Sequence, residues 1–165
     1  MYEIKTIRAE EEHVPILTNL SRYYTYDVSE FASELHGYEI GEDGHYAECV
    51  REYWEDPTVD ALLLQADDEW AGFALVKYHL NNKETNYEIA EFFVARKFRR
   101  KGIATQFAHQ VFNTYPGEWE VNVWPKNPLA VAFWTSSISR YVNREIEPVL
   151  NYHAHYECEM VTIRF

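Results

Sequence analysis

The stretch Thr85-Asn86-Tyr87-Glu88-Ile89-Ala90-Glu91-Phe92-Phe93-Val94-Ala95, then Arg96-Lys97-Phe98-Arg99-Arg100-Lys101, then Gly102-Ile103-Ala104-Thr105-Gln106-Phe107-Ala108-His109-Gln110-Val111-Phe112, decides the fold. Its first part is an apolar, aromatic-rich run and predicts a strand over Thr85–Ala95. Its last part sets Ile103, Ala104, Phe107, Ala108, Val111 and Phe112 at three-to-four spacing, which predicts an amphipathic helix over Gly102–Thr114. Between them, five of the fifteen Lys and Arg fall within six positions. A strand that runs through a basic loop into a helix outlines an anion site. The first amides of a helix lack intrahelical acceptors and point outward, and the helix dipole adds about +0.5 charge there. Gly102 lets the backbone approach a phosphate, and Ala104 is small for the same reason. A diphosphate would satisfy the amides and the basic side chains together. Neither G-x-x-x-x-G-K-S/T nor G-x-G-x-x-G occurs, which argues against the phosphate grip of an NTPase or a dinucleotide-binding fold.

Working outward, Tyr2–Arg8 alternates as a half-buried strand, and Glu10–Tyr24 has helical spacing at Leu17, Leu20 and Tyr24 with acids in its first turn. Ser29–Gly44, broken by Gly37, Gly41 and Gly44, supports no assignment. Tyr46–Glu55 predicts a short helix ended by Asp56-Pro57. Val59–Gln65 and Trp70–His79 predict two strands joined by a hairpin turn at Ala66–Glu69. Asn81-Asn82-Lys83 predicts the next turn. Pro116-Gly117 stops the helix after the basic loop, and Trp119–Trp124 follows as a strand. Asn127-Pro128 starts another helix, with Asn as N-cap and Pro in the first turn. Its buried face is Ala130, Phe133, Trp134, Ile138 and Tyr141. Glu145–Val149 and Tyr156–Phe165 close the chain as strands. The order is strand, two helices, three strands, helix, strand, helix, two strands: an α+β (mixed α/β) fold with one parallel crossover.

With 165 residues, 47% hydrophobic and 16% aromatic, the chain reads as one domain over 1–165 with a substantial core. Fifteen basic residues against 27 acidic ones give a net charge of −12. An acidic field disfavours nucleic acid and anionic membrane as partners, while a basic knot inside it suits a small anionic ligand. Apolar runs such as Ala61–Leu64 and Ala71–Val76 are far shorter than the ~20 residues of a membrane span. Met1-Tyr2-Glu3-Ile4-Lys5 lacks the build of a signal peptide, and two cysteines, Cys49 and Cys158, form no disulfide framework; a cytoplasmic location is expected. His153 and His155 share one strand face, a spacing some metal sites use, but no adjacent cysteine or acid pair completes a site, so no metal is expected.

At Arg99-Arg100-Lys101-Gly102-Ile103-Ala104 the chain resembles the GNAT superfamily of N-acetyltransferases, whose pyrophosphate loop reads R/Q-x-x-G-x-G/A between a strand and a helix. Gly72-Phe73 upstream, the Phe93-Val94 strand end and the element order agree with it. Asn127-Pro128-Leu129-Ala130-Val131-Ala132-Phe133-Trp134 looks like the family segment N-x-x-A-x-x-F/L-Y. The resemblance implies a mostly antiparallel twisted sheet of six to seven strands, splayed between strands four and five and flanked by about four helices. It implies acetyl-CoA as cosubstrate, its pyrophosphate on the amides of 100–105: Arg100, Lys101, Gly102, Ile103, Ala104 and Thr105, with Arg99 leading the loop. The pantetheine arm would pair along Phe92, Phe93 and Val94, an N–H near Val94 would polarise the thioester carbonyl, and Asn127 would be a further contact. It implies transfer of the acetyl group to a primary amine by direct attack, with a small-molecule amine as partner; a homodimer is compatible.

The amine must shed a proton first, since its pKa lies near ~10. Glu88 and Glu91 are the candidate bases. Three apart on one strand, they fall on opposite faces of a regular pleat unless a bulge changes the parity, and Glu91 lies nearer the carbonyl-binding turn. Glu120 on the neighbouring strand is a weaker candidate. Trp134 stands where the family often has a Tyr that protonates the leaving thiolate, and an indole cannot be an acid at neutral pH. Tyr141, seven residues on, lies ~10 Å away along the helix. On the acceptor side, Tyr23, Tyr24, Tyr26 and Asp27 could cage a cationic amine; equally, Tyr24, Val28 and Phe31 have the spacing of an ordinary core face. Acids at Glu30, Glu34, Glu39, Glu42 and Asp43 favour a positively charged acceptor. The alternative is a GNAT-like module that binds an acyl-CoA without turnover, which the Trp134 substitution favours.

Overall fold

A computed structural model describes residues 2–32, 37–79, 84–154 and 157–165. Its strands are β1 (Ile4–Arg8), β2 (Val59–Ala66), β3 (Glu69–Tyr78), β4 (Tyr87–Val94), β5 (Trp119–Val123), β6 (Val149–His153) and β7 (Cys158–Arg164). Its helices are α1 (Val14–Ala32), α2 (Val50–Glu55), α3 (Ile103–Thr114) and α4 (Pro128–Val142). The seven strands form one sheet in the order β1-β2-β3-β4-β5-β7-β6. Neighbours pair antiparallel except β4 and β5, which run parallel. No helix among the described residues is long and apolar enough to cross a membrane.

Strand alternation divides the core into two layers. Leu62, Leu64, Ala74, Val76 and Ile89 face Phe107, Val111, Phe112 and Ile138 of α3 and α4. Leu63, Phe73, Leu75 and Phe93 face Leu17, Leu20 and Val50 on the other side. Asp67 and Asp68, both at positive φ, make the β2–β3 hairpin turn whose twist suits the flanking strands.

Several boundaries differ from the sequence reading; the helix expected from Tyr46, for one, starts only at Val50. α1 begins at Val14, with Pro15 in its first turn, and runs on to Ala32 instead of ending near Tyr24. The Tyr24, Val28, Phe31 period carries it forward, and the Thr25 hydroxyl donates back to the Ser21 carbonyl and across to Ala47 O, both at 3.0 Å. The first helical segment before it is a single 3-10 turn, Glu11–His13. The strand expected at Glu145–Val149 lies further on, at Val149–His153. Asn143 in the left-handed conformation caps α4, and Ile146 turns into the core, so this stretch is a connection. The turn expected at 81–83 falls outside the described residues.

Candidate active site

β4 and β5 pair over only three positions: Tyr87 with Trp119, Glu88 with Glu120, and Ile89 with Val121. Beyond Ile89 they diverge, and Phe92 fills the base of the gap against Phe107 and Trp134, with ring centroids 5.2 and 4.9 Å away. Two cavities occupy the splay. The larger, of about 730 Å³, lies between α1 and the start of α4 and reaches Phe93, Val94, Arg96, Arg99, Arg100 and Ala104. The smaller, of about 120 Å³, lies deeper among Tyr24, Glu91, Phe92, Asn122, Trp124 and Trp134.

The divergence leaves one edge of β4 open. Ala95 N–H donates to Ala71 O at 2.8 Å, towards β3. Alternation then turns the Val94 and Phe92 N–H groups the other way, into the splay. Gly72 secures the β3 side: a Cβ there would lie 2.1 Å from the Phe93 carbonyl oxygen, so no larger residue allows this approach. The Val94 carbonyl, on the open side, accepts from Arg99 Nε at 2.6 Å.

Past Val94 the chain makes a 3-10 turn, Arg96–Phe98, and enters α3 through Gly102 at φ +78. A Cβ at Gly102 would meet only Gln106 Nε2, at 3.8 Å, so the glycine is required by its left-handed backbone rather than by crowding. Gln106 N–H closes the first helical bond on Gly102 O at 3.1 Å, which leaves the preceding amides as the helix's unpaired donors. Ile103 is buried in the core and can offer a ligand only its amide. Lys101 leans away, its Nζ 3.0 Å from the Tyr2 hydroxyl. Asn127 caps α4, its Oδ1 accepting from Ala130 N–H at 3.0 Å, and borders both cavities.

The glutamates resolve by parity. Leu75 pairs with Glu91 but Val76 with Ile89, so Ala90 is the extra residue of a bulge. The bulge brings Glu88 and Glu91 to the α1 side, where a regular pleat would separate them. Glu91 borders the smaller cavity together with Tyr24 and accepts from the Tyr53 hydroxyl at 3.4 Å. Burial pushes its carboxyl up to about 7; the neighbouring tyrosine hydroxyls oppose the rise and the charge of Glu88 adds to it. Burial and the Glu91 charge also raise the Tyr38 phenol to about 12 and push the Tyr24 phenol and the Cys49 thiol well up. Sequence reasoning missed this surround: Tyr38, Cys49 and Tyr53 carry no spacing relative to Glu91 in the chain.

Glu88 borders neither cavity. It takes His79 Nε2 at 3.1 Å and Asn122 Nδ2 at 3.0 Å. Burial alone would raise its carboxyl, but those two hydrogen bonds, together with the nearby His79 and His153 imidazoles, outweigh it and hold the group below its usual range. Glu120 pairs with Arg164 at 2.7 Å and accepts from Asn122 at 2.9 Å. Neither is placed to meet an acceptor. Glu88, Glu120 and His153 bring potential ligand atoms within 4.8 Å of one another, so an acid pair does stand beside His153, supplied by β4 and β5 rather than by its sequence neighbours. The Asn122 amide sits among the three, and His79 and Arg164 engage the carboxylates. His155 and Glu34 lie outside the described residues.

The four-residue acceptor cage is not assembled. At ~100° per residue, Tyr24, Asp27, Val28 and Phe31 share the cavity wall, while Tyr23 and Tyr26 turn outward, 63% and 54% exposed. Tyr26 packs on Tyr46 and beneath Arg96. Asp27 accepts from Arg96 at 2.8 Å and from Arg99, so two arginines of the basic loop already balance its charge. Trp134 borders the smaller cavity, and Tyr141 lies outside both, its hydroxyl on Asn113 at 3.1 Å.

No curated protein sequence matches the chain. Solved structures share its fold over nearly their whole length. An acetyltransferase from Thermus thermophilus is 15% identical with a TM-score of 0.69, covering 100% of this chain and 99% of that one. A spermidine N-acetyltransferase from Vibrio cholerae is 11% identical with a TM-score of 0.63, covering 98% and 92%. FeeM, an N-acyl amino acid synthase from uncultured soil microbes, is 8% identical with a TM-score of 0.58, covering 100% and 91%. The family model for the acetyltransferase (GNAT) family matches residues 22–137, from mid-α1 through the splay and basic loop into α4, and the chain therefore belongs to the GNAT acetyltransferases.

Proposed function

We propose that this protein transfers an acetyl group from acetyl-CoA to a primary amine, with Glu91 as the base. The open β4 edge carries the reading: it leads from the basic loop at Arg99 to the cavity that Glu91 borders. The chain's own groups fit the coenzyme. Amides from Arg100 to Thr105, with Arg99 and Arg100 beside them, suit the pyrophosphate. The Phe92 and Val94 N–H groups suit an extended pantetheine arm. The Val94 N–H is oriented to polarise a thioester carbonyl, and such a donor stabilises the charge that develops on the oxygen.

The acceptor enters on the α1 side. Its nitrogen binds as an ammonium and must release a proton before it can attack. A carboxyl whose pKa is about 7 is ionised enough to take that proton at neutral pH and weak enough to give it up afterwards. Glu30 and Glu91 at the cavity margins favour a small cationic amine. The second reading, a module that holds an acyl-CoA without turnover, is favoured by Trp134 in the place of the family's tyrosine.

The deciding measurement is thiol release from acetyl-CoA against a panel of amines, with spermidine included because a protein of this fold acts on it. Release that rises with one amine supports the transferase. Tight coenzyme A binding with no release from any amine selects the silent module and refutes the transferase.

A further inference from the structure

Two arginines of the basic loop hold the α1 carboxylate Asp27, and a coenzyme in the splay would claim those same arginines. We infer that coenzyme binding strips Arg96 and Arg99 from Asp27 and turns this carboxylate into the site for a second cationic group on the acceptor, so that the acceptor is a short aliphatic diamine rather than a monoamine. The inference rests on the transferase reading above.

The ion pairs show which partner moves. Arg96 donates to Asp27 from Nε at 3.0 Å and from Nη2 at 2.8 Å, and Arg99 donates from Nη2. The two arginine side chains are 65% and 39% exposed, whereas Asp27 is 16% exposed and fixed on a helix. Exposed guanidiniums swing at little cost, and Asp27 stays where it is. Arg99 has a further reason to leave. Its Nε occupies the Val94 carbonyl at 2.6 Å, on the strand edge that the pantetheine arm needs. Both arginines line the larger cavity, and a pyrophosphate offers them more negative charge than one carboxylate, in the bidentate geometry that a guanidinium favours.

Their departure leaves a largely buried carboxylate without a counter-charge, which is costly. Glu30, one turn further along α1, lines the same cavity and adds to the negative potential. Among the described residues, the cations that line this cavity are Arg96, Arg99 and Arg100, all on the basic loop. The charge that restores the balance therefore arrives with the acceptor. It is not the reacting nitrogen, which must reach Glu91. Asp27 is joined through Arg99 to the level of Val94, and Glu91 lies three residues back along β4, about 10 Å away. A charge-assisted hydrogen bond of ~2.8 Å at each end leaves roughly 5 Å between the two nitrogens, which a chain of about three carbons spans.

The test compares a three-carbon diamine with propylamine in thiol release from acetyl-CoA. The unaltered protein should favour the diamine at least about tenfold in kcat/KM, the scale of one hydrogen bond to a charged group, with the gain in KM. Asp27→Asn should cut that preference to within about twofold, whereas loss of a merely structural contact would lower both amines alike and keep the ratio. Equilibrium titration with the diamine reads the switch. Coenzyme A should tighten its binding to the unaltered protein at least about fivefold, the lower end of ordinary coupling between sites. The double variant Arg96→Gln/Arg99→Gln should show a similar gain with no coenzyme present, and misfolding cannot produce a gain. Equal kcat/KM for diamine and propylamine, a preference that survives Asp27→Asn, or no tighter diamine binding in the double variant each overturns the inference and leaves the transferase reading intact. No release by the unaltered protein with any amine removes both.

Discussion

Replacing Glu91 by Gln removes the base while keeping an oxygen for the Tyr53 hydroxyl to bond, and its effect should follow a defined pH law. The unaltered protein can use the ammonium form of the acceptor, provided that Glu91 is ionised. The variant must wait for the rare neutral amine, whose fraction rises about tenfold per pH unit up to ~10. The ratio of the two kcat/KM values is therefore proportional to the ionised fraction of Glu91 divided by the neutral fraction of the amine. Below the Glu91 value of about 7 both quantities fall together, and the ratio is flat. Its ceiling is set by the gap between the amine near ~10 and the carboxyl, about three units or ~10³-fold, inside the range general bases achieve. Between pH ~7 and ~10 the advantage should shrink about tenfold per unit. Steady-state thiol release from about pH 5.5 to about 9.5, with coenzyme A affinity measured at each end, gives the curve. A ratio that does not change across this range would remove Glu91 as the base.

Gly102→Glu should weaken coenzyme A binding by at least about 30-fold in a calorimetric titration, because an L-residue at φ +78 costs ~1–2 kcal/mol and the carboxylate adds repulsion to it. Asp27→Asn frees Arg96 and Arg99 from their carboxylate and should tighten coenzyme A about threefold at low salt, with the gain shrinking in high salt; weaker binding would mean that the pair holds the loop in shape. Asp60→Ala strands the Tyr78 and Tyr115 hydroxyls and Arg8 and should lower unfolding stability by about 3 kcal/mol in a urea titration. Burial would raise the Asp60 carboxyl, but the two tyrosines and Arg8 outweigh it and hold it low, so its stabilisation is complete above its unfolded value of ~3.9 and is lost as the pH falls below that.

The chain is most legible in the elements whose signal is local. The Ile103 to Phe112 period, the Asn127-Pro128 start and the double-aspartate hairpin each carry their conformation within a few residues, and each forms where the chain suggests. The second half of α1 is hidden because Thr25 and Ser29 look like breakers, and only the structure shows their hydroxyls folded back onto the helix and onto Ala47. The coenzyme side can be traced because its parts follow one another from Phe92 to Thr105. The acceptor side cannot, because it is assembled from α1, α2 and β4. The surround of Glu91 by Tyr24, Tyr38, Cys49 and Tyr53 depends on contacts between residues up to 67 positions apart. The engagement of Asp27 by Arg96 and Arg99 spans 69 and 72 positions, and no periodicity announces it.

One extra residue links the two halves of the site. β4 must offer an unpaired edge on its β5 side and a carboxylate on its α1 side within the same few residues. A regular strand pairs along its length and alternates its faces. The bulge at Ala90 interrupts both habits just where β4 leaves β5 after Ile89. It adds local twist, which separates the strands, and it shifts parity, so that Glu91 joins Glu88 on the α1 face while Phe92 turns to the opposite side and wedges the gap. The same inserted residue leaves Val94 with its N–H toward the opening, three positions from the carboxylate. Proximity of donor edge and base is thus a consequence of one irregularity in the β3–β4 ladder, and a strand with Ala90 paired in regular register would have closed the cleft and turned Glu91 away from Tyr24.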